Sequence, residues 1–404
     1  MPVIIQKFGG TSVSTPESRE AAVARILEAR QQGFDVVVVV SAMGRAGEPY
    51  ATDTLINLVN GTGQSFDKRD LDLVMACGEI ISAGVFVATL RKRVAKVAIL
   101  TGWQAGILTD GKYGDARIID VRPERVRRLL ADGYIVVVAG FQGMSDQGEI
   151  TTLGRGGSDT TAAAMGVALE AEGVEIYTDV DGIMTADPRL VPEAKVLSVM
   201  DYSEVLQMAY EGAKVLHSRA VEMAMQKNVQ LIVKKTVGRH PGTKIVSTVL
   251  YEGRRQQPVV GVAHKVNVTQ ISIQPEKGIP GLDSRIFSAL AKAGVSVDLI
   301  NVSPETKLFA VKEEDVPLVQ AALSGFPVRL HQRQGCAKVS VVGIGMRGVP
   351  GVMARVTEAL ADAEIEILQT SDSHLTISCL IDQVNLTKAV NVLHQAFNLS
   401  SLER

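Results

Sequence analysis

Two stretches of this chain, 70 residues apart, are written in the same pattern, and that duplication restricts the fold more than any other feature. Ile279-Pro280-Gly281 returns as Val349-Pro350-Gly351. At the same offset Arg285 matches Arg355, Ala289-Leu290-Ala291 matches Ala359-Leu360-Ala361, and Ala293 matches Ala363. Val295 and Val297 match Ile365 and Ile367. Each copy reads strand, Pro-Gly turn, helix, strand, strand, helix. A run of small residues can imitate a repeated helix. It does not also place a turn and the following strand in one register. The C-terminal part is therefore two copies of one small α+β module.

The N-terminal part has another rhythm. Apolar runs at 3–5, 36–40, 97–100, 135–139, 175–178 and 230–233 read as strands, with helical patterns at 69–91, 123–131 and 160–170 among them. Such alternation predicts an α/β domain with a mainly parallel sheet covered on both faces. A length of 404 residues suits two or three domains, and 46% hydrophobic residues supply their cores. The pattern loosens at 236–259, where Gly238, Pro241, Gly242, Gly253 and Pro258 mark a boundary.

Charge and composition exclude several classes. Lys plus Arg at 42 nearly balances Asp plus Glu at 44, so no strong field points to nucleic acid or an anionic membrane. The longest apolar runs, 36–40 and 135–139, are far too short to cross a bilayer. Lys7 and two glycines interrupt the apolar start, so a signal-peptide pattern is not expected. Cys77, Cys336 and Cys379 are odd in number and widely spaced, which predicts free, mostly buried thiols in a reducing cytoplasm. Six scattered histidines show no ligand spacing, so any metal is expected to arrive with a substrate rather than in a protein cage.

Lys7-Phe8-Gly9-Gly10-Thr11-Ser12 follows Val3-Ile4-Ile5 directly. A strand that ends in a lysine, two glycines and two hydroxyls is suited to phosphate, because glycine lets backbone N–H groups approach an oxyanion. It is neither a Walker loop nor a dinucleotide fingerprint. The next helix is well marked: Thr15 caps it, Pro16 suits its first position, Glu17 favours its positive end, and Gly33 stops it. Further polar clusters fall at candidate strand ends, where α/β proteins place ligands. They are Ser41-Ala42-Met43-Gly44, Thr151 through Asp159, Thr178-Asp179-Val180-Asp181-Gly182 with Asp187-Pro188-Arg189, and Gly212-Ala213-Lys214.

Taken in order, Lys7 through Ser12, Leu153-Gly154-Arg155-Gly156-Gly157-Ser158-Asp159, Thr178 through Gly182 with Asp187-Pro188-Arg189, and Gly212-Ala213-Lys214 resemble the aspartokinases over essentially the full length. Gly44 through Tyr50 and Asp298-Leu299-Ile300-Asn301 look most like the monofunctional members from spore-forming bacteria. The resemblance implies the amino-acid kinase fold, a mainly parallel sheet sandwiched by helices, followed by two α+β ACT (ferredoxin-like) modules. It divides the chain into a catalytic domain at 1–237, a linker at 238–258, a first ACT module at 259–335 and a second at 336–404. A strand near 259–263 is lent to the second module. The implied reaction is phosphorylation of the side-chain carboxylate of L-aspartate by ATP with Mg²⁺, giving 4-phospho-L-aspartate. That is the first step toward lysine and diaminopimelate, threonine and methionine.

An aspartate carboxylate, with a pKa of about 3.9, is already ionised at neutral pH and needs no general base. The resemblance assigns catalysis to Lys7 and Asp159. Gly9, Gly10 and Ser12 would surround the phosphates beside Lys7, and Thr178, Asp179, Asp187, Arg189 and Lys214 would form the rest of the ATP side. Arg155 is suited to grip the α-carboxylate through two parallel hydrogen bonds. Glu79 matches the family's glutamate for the α-amino group. Ser41, Thr52, Gly156, Gly157 and Ser158 complete the substrate pocket. Met184 departs from the tyrosine common in the family.

For regulation, Gly281, Asp298, Asn301, Glu366 and Ile367 are the expected effector residues, with lysine, diaminopimelate or threonine as ligand. The modules imply a homo-oligomer, with no nucleic-acid or membrane partner and a cytoplasmic location. Two other readings stay open at this point: a non-catalytic amino-acid sensor, and a kinase of the same fold for another carboxylate.

Overall fold

The structure is a computed structural model that describes residues 1–63, 66–213, 215–247, 258–275, 279–346 and 348–402. The first half runs β1 (Val3–Phe8), α1 (Gly10–Ser14), α2 (Pro16–Gln31), β2 (Asp35–Val40), α3 (Thr52–Asn60), α4 (Lys68–Leu90) and β3 (Val97–Leu100). It continues through β4 (Ile107–Thr109), β5 (Ile118–Val121), α5 (Glu124–Ala131), β6 (Ile135–Ala139), β7 (Gln142–Ser145), β8 (Ile150–Thr152), α6 (Gly157–Ala168) and β9 (Gly173–Thr178). It closes with β10 (Val199–Asp201), α7 (Tyr202–Tyr210), α8 (Ser218–Lys227), β11 (Leu231–Lys235) and β12 (Thr243–Val246).

The main sheet has the order β10-β12-β11-β9-β1-β2-β6-β3. Strands β11, β9, β1, β2, β6 and β3 run parallel to one another, and β12 is antiparallel to β11. All six residues of β2 are buried, as a valine run between two helical layers requires. Side chains alternate between faces: Val37 and Val39 join Met165 and Val221 in one core, and Val36, Val38 and Val40 join Ile26 and Phe86 in the other. Each such valine contributes about 1.5–3 kcal/mol by leaving water. Parallel strands bring the C-terminal ends of β1, β2, β6, β9 and β11 to one edge. Helix α2 starts as expected, with a Thr15–Ser18 capping box and Pro16 in its first turn. Among the described helices only α4 has the length and hydropathy of a bilayer span, yet Ala83, Phe86 and Leu90 pack it into the core.

Two features depart from the sequence reading. A second sheet, β5-β4-β7-β8, stands beside the first, built from strands of three or four residues. Within the stretch expected as a linker, β12 pairs with β11 and β10 in the main sheet.

The second half runs β13 (Gly261–Pro275), α9 (Leu282–Lys292), β14 (Asp298–Val302), β15 (Lys307–Lys312), α10 (Val316–Leu323), β16 (Val328–Val342), α11 (Val352–Asp362), β17 (Gln369–Asp372), β18 (Thr376–Asp382) and α12 (Leu386–Ala396). Helices α9 and α11 differ by the offset of the repeat. The sheet order is β14-β15-β13-β16-β18-β17. Both 15-residue strands serve two modules. Residues 261–265 of β13 pair with 338–342 of β16 beside β18, while 268–273 pair with β15. The chain before the first repeat thus completes the second. The first repeat has its own core around Ile271, Ile286, Phe309 and Val319. The core of the second takes in Ala186, Val191 and Ala194 from the N-terminal half. Val262 N–H donates to Thr185 O at 2.7 Å, and Thr185 Oγ1 lies 2.9 Å from His394 Nε2. Met184 bridges Val196 and packs on that same core. Cys336 and Cys379 are buried, and Cys77 is exposed.

Candidate active site

Lys7 stands one residue before the end of β1, so the strand delivers its ammonium to the C-terminal edge of the sheet. There Nζ lies 2.6 Å from Asp159 Oδ1, each side chain 12% exposed. Asp159 sits in the first turn of α6, where the helix end favours negative charge. The pair fixes Lys7 while leaving it further N–H donors.

Lys7 and Asp159 line a cavity of about 520 Å³ together with Ser41, Thr52, Glu79 and Arg155. Gly156, Gly157 and Ser158 border it as well. Lys7 and Asp159, 152 positions apart in sequence, meet here because several strand ends and α4 converge. Glu79 is 2% exposed. One carboxylate oxygen accepts the Ala42 N–H at 3.0 Å, and Oε2 is buried with no donor among the described residues. Burial pushes this carboxyl up to about 8, against the opposing Ala42 hydrogen bond. Arg155 is exposed on the loop between two left-handed glycines, Gly154 at φ 71° and Gly156 at φ 69°. Gly156 cannot be replaced: a Cβ there would lie 2.2 Å from the His217 ring.

Three residues that the sequence reading passed over hold this loop and cavity. Asp72 is fully buried and accepts Thr152 N–H at 2.9 Å, Thr152 Oγ1–H at 2.7 Å and Gly114 N–H at 3.0 Å. Burial raises its carboxyl even against these donors. Asp72 precedes Glu79 by two turns of one apolar helix, and two acids on that face were the available signal. His217 caps α8, presses on Gly156, and is shifted down by burial; nothing local marks it. Arg45 pairs with Asp179 at 2.6 Å and ties the loop after β2 to the turn after β9.

The expected nucleotide residues are only partly gathered. Ser12 Oγ is 2.6 Å from Thr236 Oγ1, and Thr236 N–H donates to Thr178 O at 3.1 Å. Gly10 lines the cavity with Lys7. The N–H of Gly9 does not face it as a free donor, because it donates to Tyr177 O at 3.2 Å. Close approach is required at Gly10, where a Cβ would lie 2.6 Å from Gly44 O, whereas a Cβ on Gly9 would make only an ordinary 3.6 Å contact with Lys7 Nζ. Asp187 and Arg189 form a forked pair with each other, which holds the Asp187 carboxyl below its ordinary range. Their loop leans on the second repeat through Val191, and among the described residues Lys7 pairs with Asp159 while Asp187 and Arg189 pair with each other. Lys214 lies outside the described residues.

The expected effector residues form a seam rather than one cluster. Asp298 starts β14 and meets Lys338 Nζ at 2.7 Å and Lys265 Nζ at 3.6 Å. Asn301 is exposed on the same strand, and Gly281 caps α9. Glu366 is exposed, 3.9 Å from Arg333, and Ile367 is half-buried on the core of the second repeat. The two repeats touch where Gln369 Nε2 donates to Leu299 O and Gln369 Oε1 accepts from Gln270 Nε2 at 3.0 Å.

The amino acid kinase family model matches residues 2–235, and an ACT domain model matches residues 332–395. Aspartokinase 1 of Bacillus subtilis is 45% identical over 403 residues, covering 99% of this chain and 100% of its own length. The chain belongs to the aspartokinase family. Two crystal structures of Escherichia coli aspartokinase III share its fold. The complex with aspartate and ADP is 24% identical with a TM-score of 0.81, covering 98% of this chain and 100% of that one. The complex with lysine and aspartate is 25% identical with a TM-score of 0.75, covering 98% and 99%. As an aspartokinase this chain is an enzyme, a kinase that phosphorylates the side-chain carboxylate of aspartate, and its ACT repeats make it an allosteric one.

Proposed function

We propose that the cavity at the sheet edge binds L-aspartate with its α-carboxylate on Arg155, its α-amino group on Glu79 and its side-chain carboxylate toward Lys7. One observation carries this reading. Glu79 Oε2 is buried without a hydrogen-bond donor in the same cavity as the exposed guanidinium of Arg155. A buried acceptor and an exposed fork in one cavity suit the two charges of a free amino acid. Ser41, Thr52, Gly156, Gly157 and Ser158 shape the pocket.

In the reaction, an aspartate carboxylate oxygen bonds to the γ-phosphorus of ATP. The bond to the β,γ-bridging oxygen breaks, and ADP leaves with that electron pair. The step moves no proton from the acceptor, so the protein's work is positioning and charge. Lys7, held by Asp159, meets the transferring phosphoryl oxygens. Mg²⁺ enters with ATP. Gly9, Gly10, Ser12, Thr178 and Asp179 border the nucleotide side, with Asp187, Arg189 and Lys214 assigned there by resemblance.

The same reading divides the chain into a catalytic domain at 1–237, whose main sheet also takes in β12 at Thr243–Val246, and ACT modules at 259–335 and 336–404. An amino-acid effector meets Asp298, Asn301 and Gly281 in the first module, with Glu366 and Ile367 from the second. Lysine stands first among candidates, because the E. coli relative has been solved with it. Copies associate through the first module, whose edge strand β14 exposes Ile300 and Val302. Free thiols fit a reducing cytoplasm.

The experiment is ATP-dependent acyl-phosphate formation trapped with hydroxylamine. Acceptors are aspartate, glutamate and acetylglutamate, each with and without lysine, threonine and diaminopimelate. Turnover with aspartate alone, lowered by one effector, is expected. Turnover with another acceptor would move the substrate assignment.

A further inference from the structure

We infer that Lys338 couples ligand occupancy at Asp298 to the catalytic half, by dividing one buried positive charge between two carboxylates that belong to different halves. The inference rests on the reading that a ligand's ammonium group meets Asp298.

Lys338 lies on β16 and is 4% exposed. Its Nζ is 2.8 Å from Glu211 Oε2 and 2.7 Å from Asp298 Oδ2. Burial alone would lower its pKa, but the two carboxylates outweigh burial and raise it. Glu211 is the C-cap residue of α7, 5% exposed, and it also accepts from Ser340 Oγ at 2.8 Å and Gln207 Nε2 at 3.2 Å. Removing either partner of such a buried pair leaves an uncompensated charge, so the three side chains respond as a unit.

Both ends of this unit are attached to elements with little freedom. On the regulatory side, Asp298 Oδ1 accepts the N–H of Leu299, which is held in the left-handed region at φ 51°. Its carbonyl accepts from Gln369 of the second repeat. A leucine in that region is strained and stays only while its neighbours hold it. On the catalytic side, Glu211 leads directly into Gly212, at φ 108°. A Cβ on Gly212 would lie 2.1 Å from His264 O, so this turn is pressed onto β13. Helix α7 also packs on α8, where Tyr210 O–H donates to Glu222, and His217 at the start of α8 packs its ring on Gly156 between Arg155 and Asp159. Asp298 therefore connects to the substrate loop through Lys338, Glu211 at the end of α7, the contact of α7 with α8, and His217, each link a packed contact, hydrogen bond or ion pair. An ammonium group that takes Asp298 from Lys338 leaves that lysine to Glu211 alone and releases the hold on Leu299. The end of α7 and the His217–Gly156 contact then settle in a second arrangement.

The test uses the full-length enzyme and measures binding apart from inhibition. Calorimetry follows binding of L-lysine, L-threonine and meso-diaminopimelate, and the hydroxylamine assay follows turnover at saturation with whichever binds. Lys338→Met and Glu211→Gln are compared with the parent. Glu211→Gln keeps side-chain shape and serves where Lys338→Met fails to fold. Ligand binding is expected to stay within about fivefold of the parent while inhibition at saturation weakens at least about fivefold, the lower end of allosteric coupling. Full inhibition of either folded variant by bound ligand overturns the coupling and leaves the Asp298 reading intact. Loss of binding in both variants also overturns it, because Lys338 and Glu211 then belong to the ligand site itself. Absence of binding to the parent, or binding that survives Asp298→Asn unchanged, overturns the Asp298 reading and this inference with it.

Discussion

Glu79 in the cavity and Asp298 in the seam are two carboxylates assigned the same task, receiving the amino group of an amino acid, and the protein holds them in opposite states. Burial pushes Glu79 up to about 8, and its inner oxygen has no donor among the described residues. Asp298 is also raised by burial, but Lys338 and Lys265 outweigh that and hold it below its ordinary range. The first carboxylate gains its charge when an ammonium arrives. The second already carries its charge and must exchange one ammonium for another. A substrate pocket profits from a partner that is needed, whereas a regulatory seam profits from a partner that is displaced, because displacement moves something else.

The largest expected effect removes the charge on which the first site turns. Lys7→Ala should lower kcat about a hundredfold to a thousandfold, the scale of a lost electrostatic stabiliser, with little change in melting temperature. Near-normal ADP release from that variant would take Lys7 out of the mechanism. Asp298→Asn tests the other side. It should leave kcat alone and abolish an effector coupling of about fivefold to 150-fold, read as the ratio of turnover without and with effector. Retained inhibition would erase the contrast between the two carboxylates.

Arg155→Lys should raise the KM for aspartate about tenfold to a hundredfold with kcat retained, since a point charge does not replace a fork. An unchanged KM would place the α-carboxylate elsewhere. The comparison sharpens with pH. Free enzyme carries a protonated Glu79 below about 8, so kcat/KM for aspartate should rise with pH and level off above that value. Glu79→Gln should flatten the profile at a low value. A parent profile already flat from pH 6 to 9 would mean that Glu79 is ionised in the free enzyme.

The smallest effect is on stability. The folded pKa of Glu79, about 8, lies above its ordinary value of 4.5, so the native state holds a proton that the unfolded chain releases. That contribution is complete below 4.5 and is lost as pH rises to about 8. Thermal unfolding of the parent should lose more between pH 5 and 9 than that of Glu79→Gln, by roughly one to a few degrees. Equal slopes would argue against the shift.

Much of the frame could be read in the sequence, for physical reasons that differ by region. Apolar runs such as Val36 through Val40 declare buried parallel strands by themselves. The 70-residue repeat declares its elements twice. Strands of three residues, such as Ile107–Thr109, are too short for any periodicity to show, and β12 carries two polar residues in four. In the site, Lys7, Arg155 and Asp159 stand beside glycines whose backbone freedom is conspicuous. Asp72 and His217 act through contacts 80 and 61 residues away, with Thr152 and Gly156, and no local pattern records such a distance. At Gly9, a Gly-Gly turn does not reveal which amide the neighbouring strand has already claimed, here the Gly9 N–H bound to Tyr177 O.

The interleaving of β13 and β16 sets an order of assembly. Residues 261–265 leave the ribosome long before 338–342, their partners in the second module. The catalytic half is therefore synthesised with one flank unfinished, and Val260 and Val262, buried in the completed protein, must wait through the whole first repeat for cover. Pairing across so many residues is slow to form. A chain arrested near residue 335 would carry a finished first module and an apolar strip beside it, which is the kind of surface that chaperones hold.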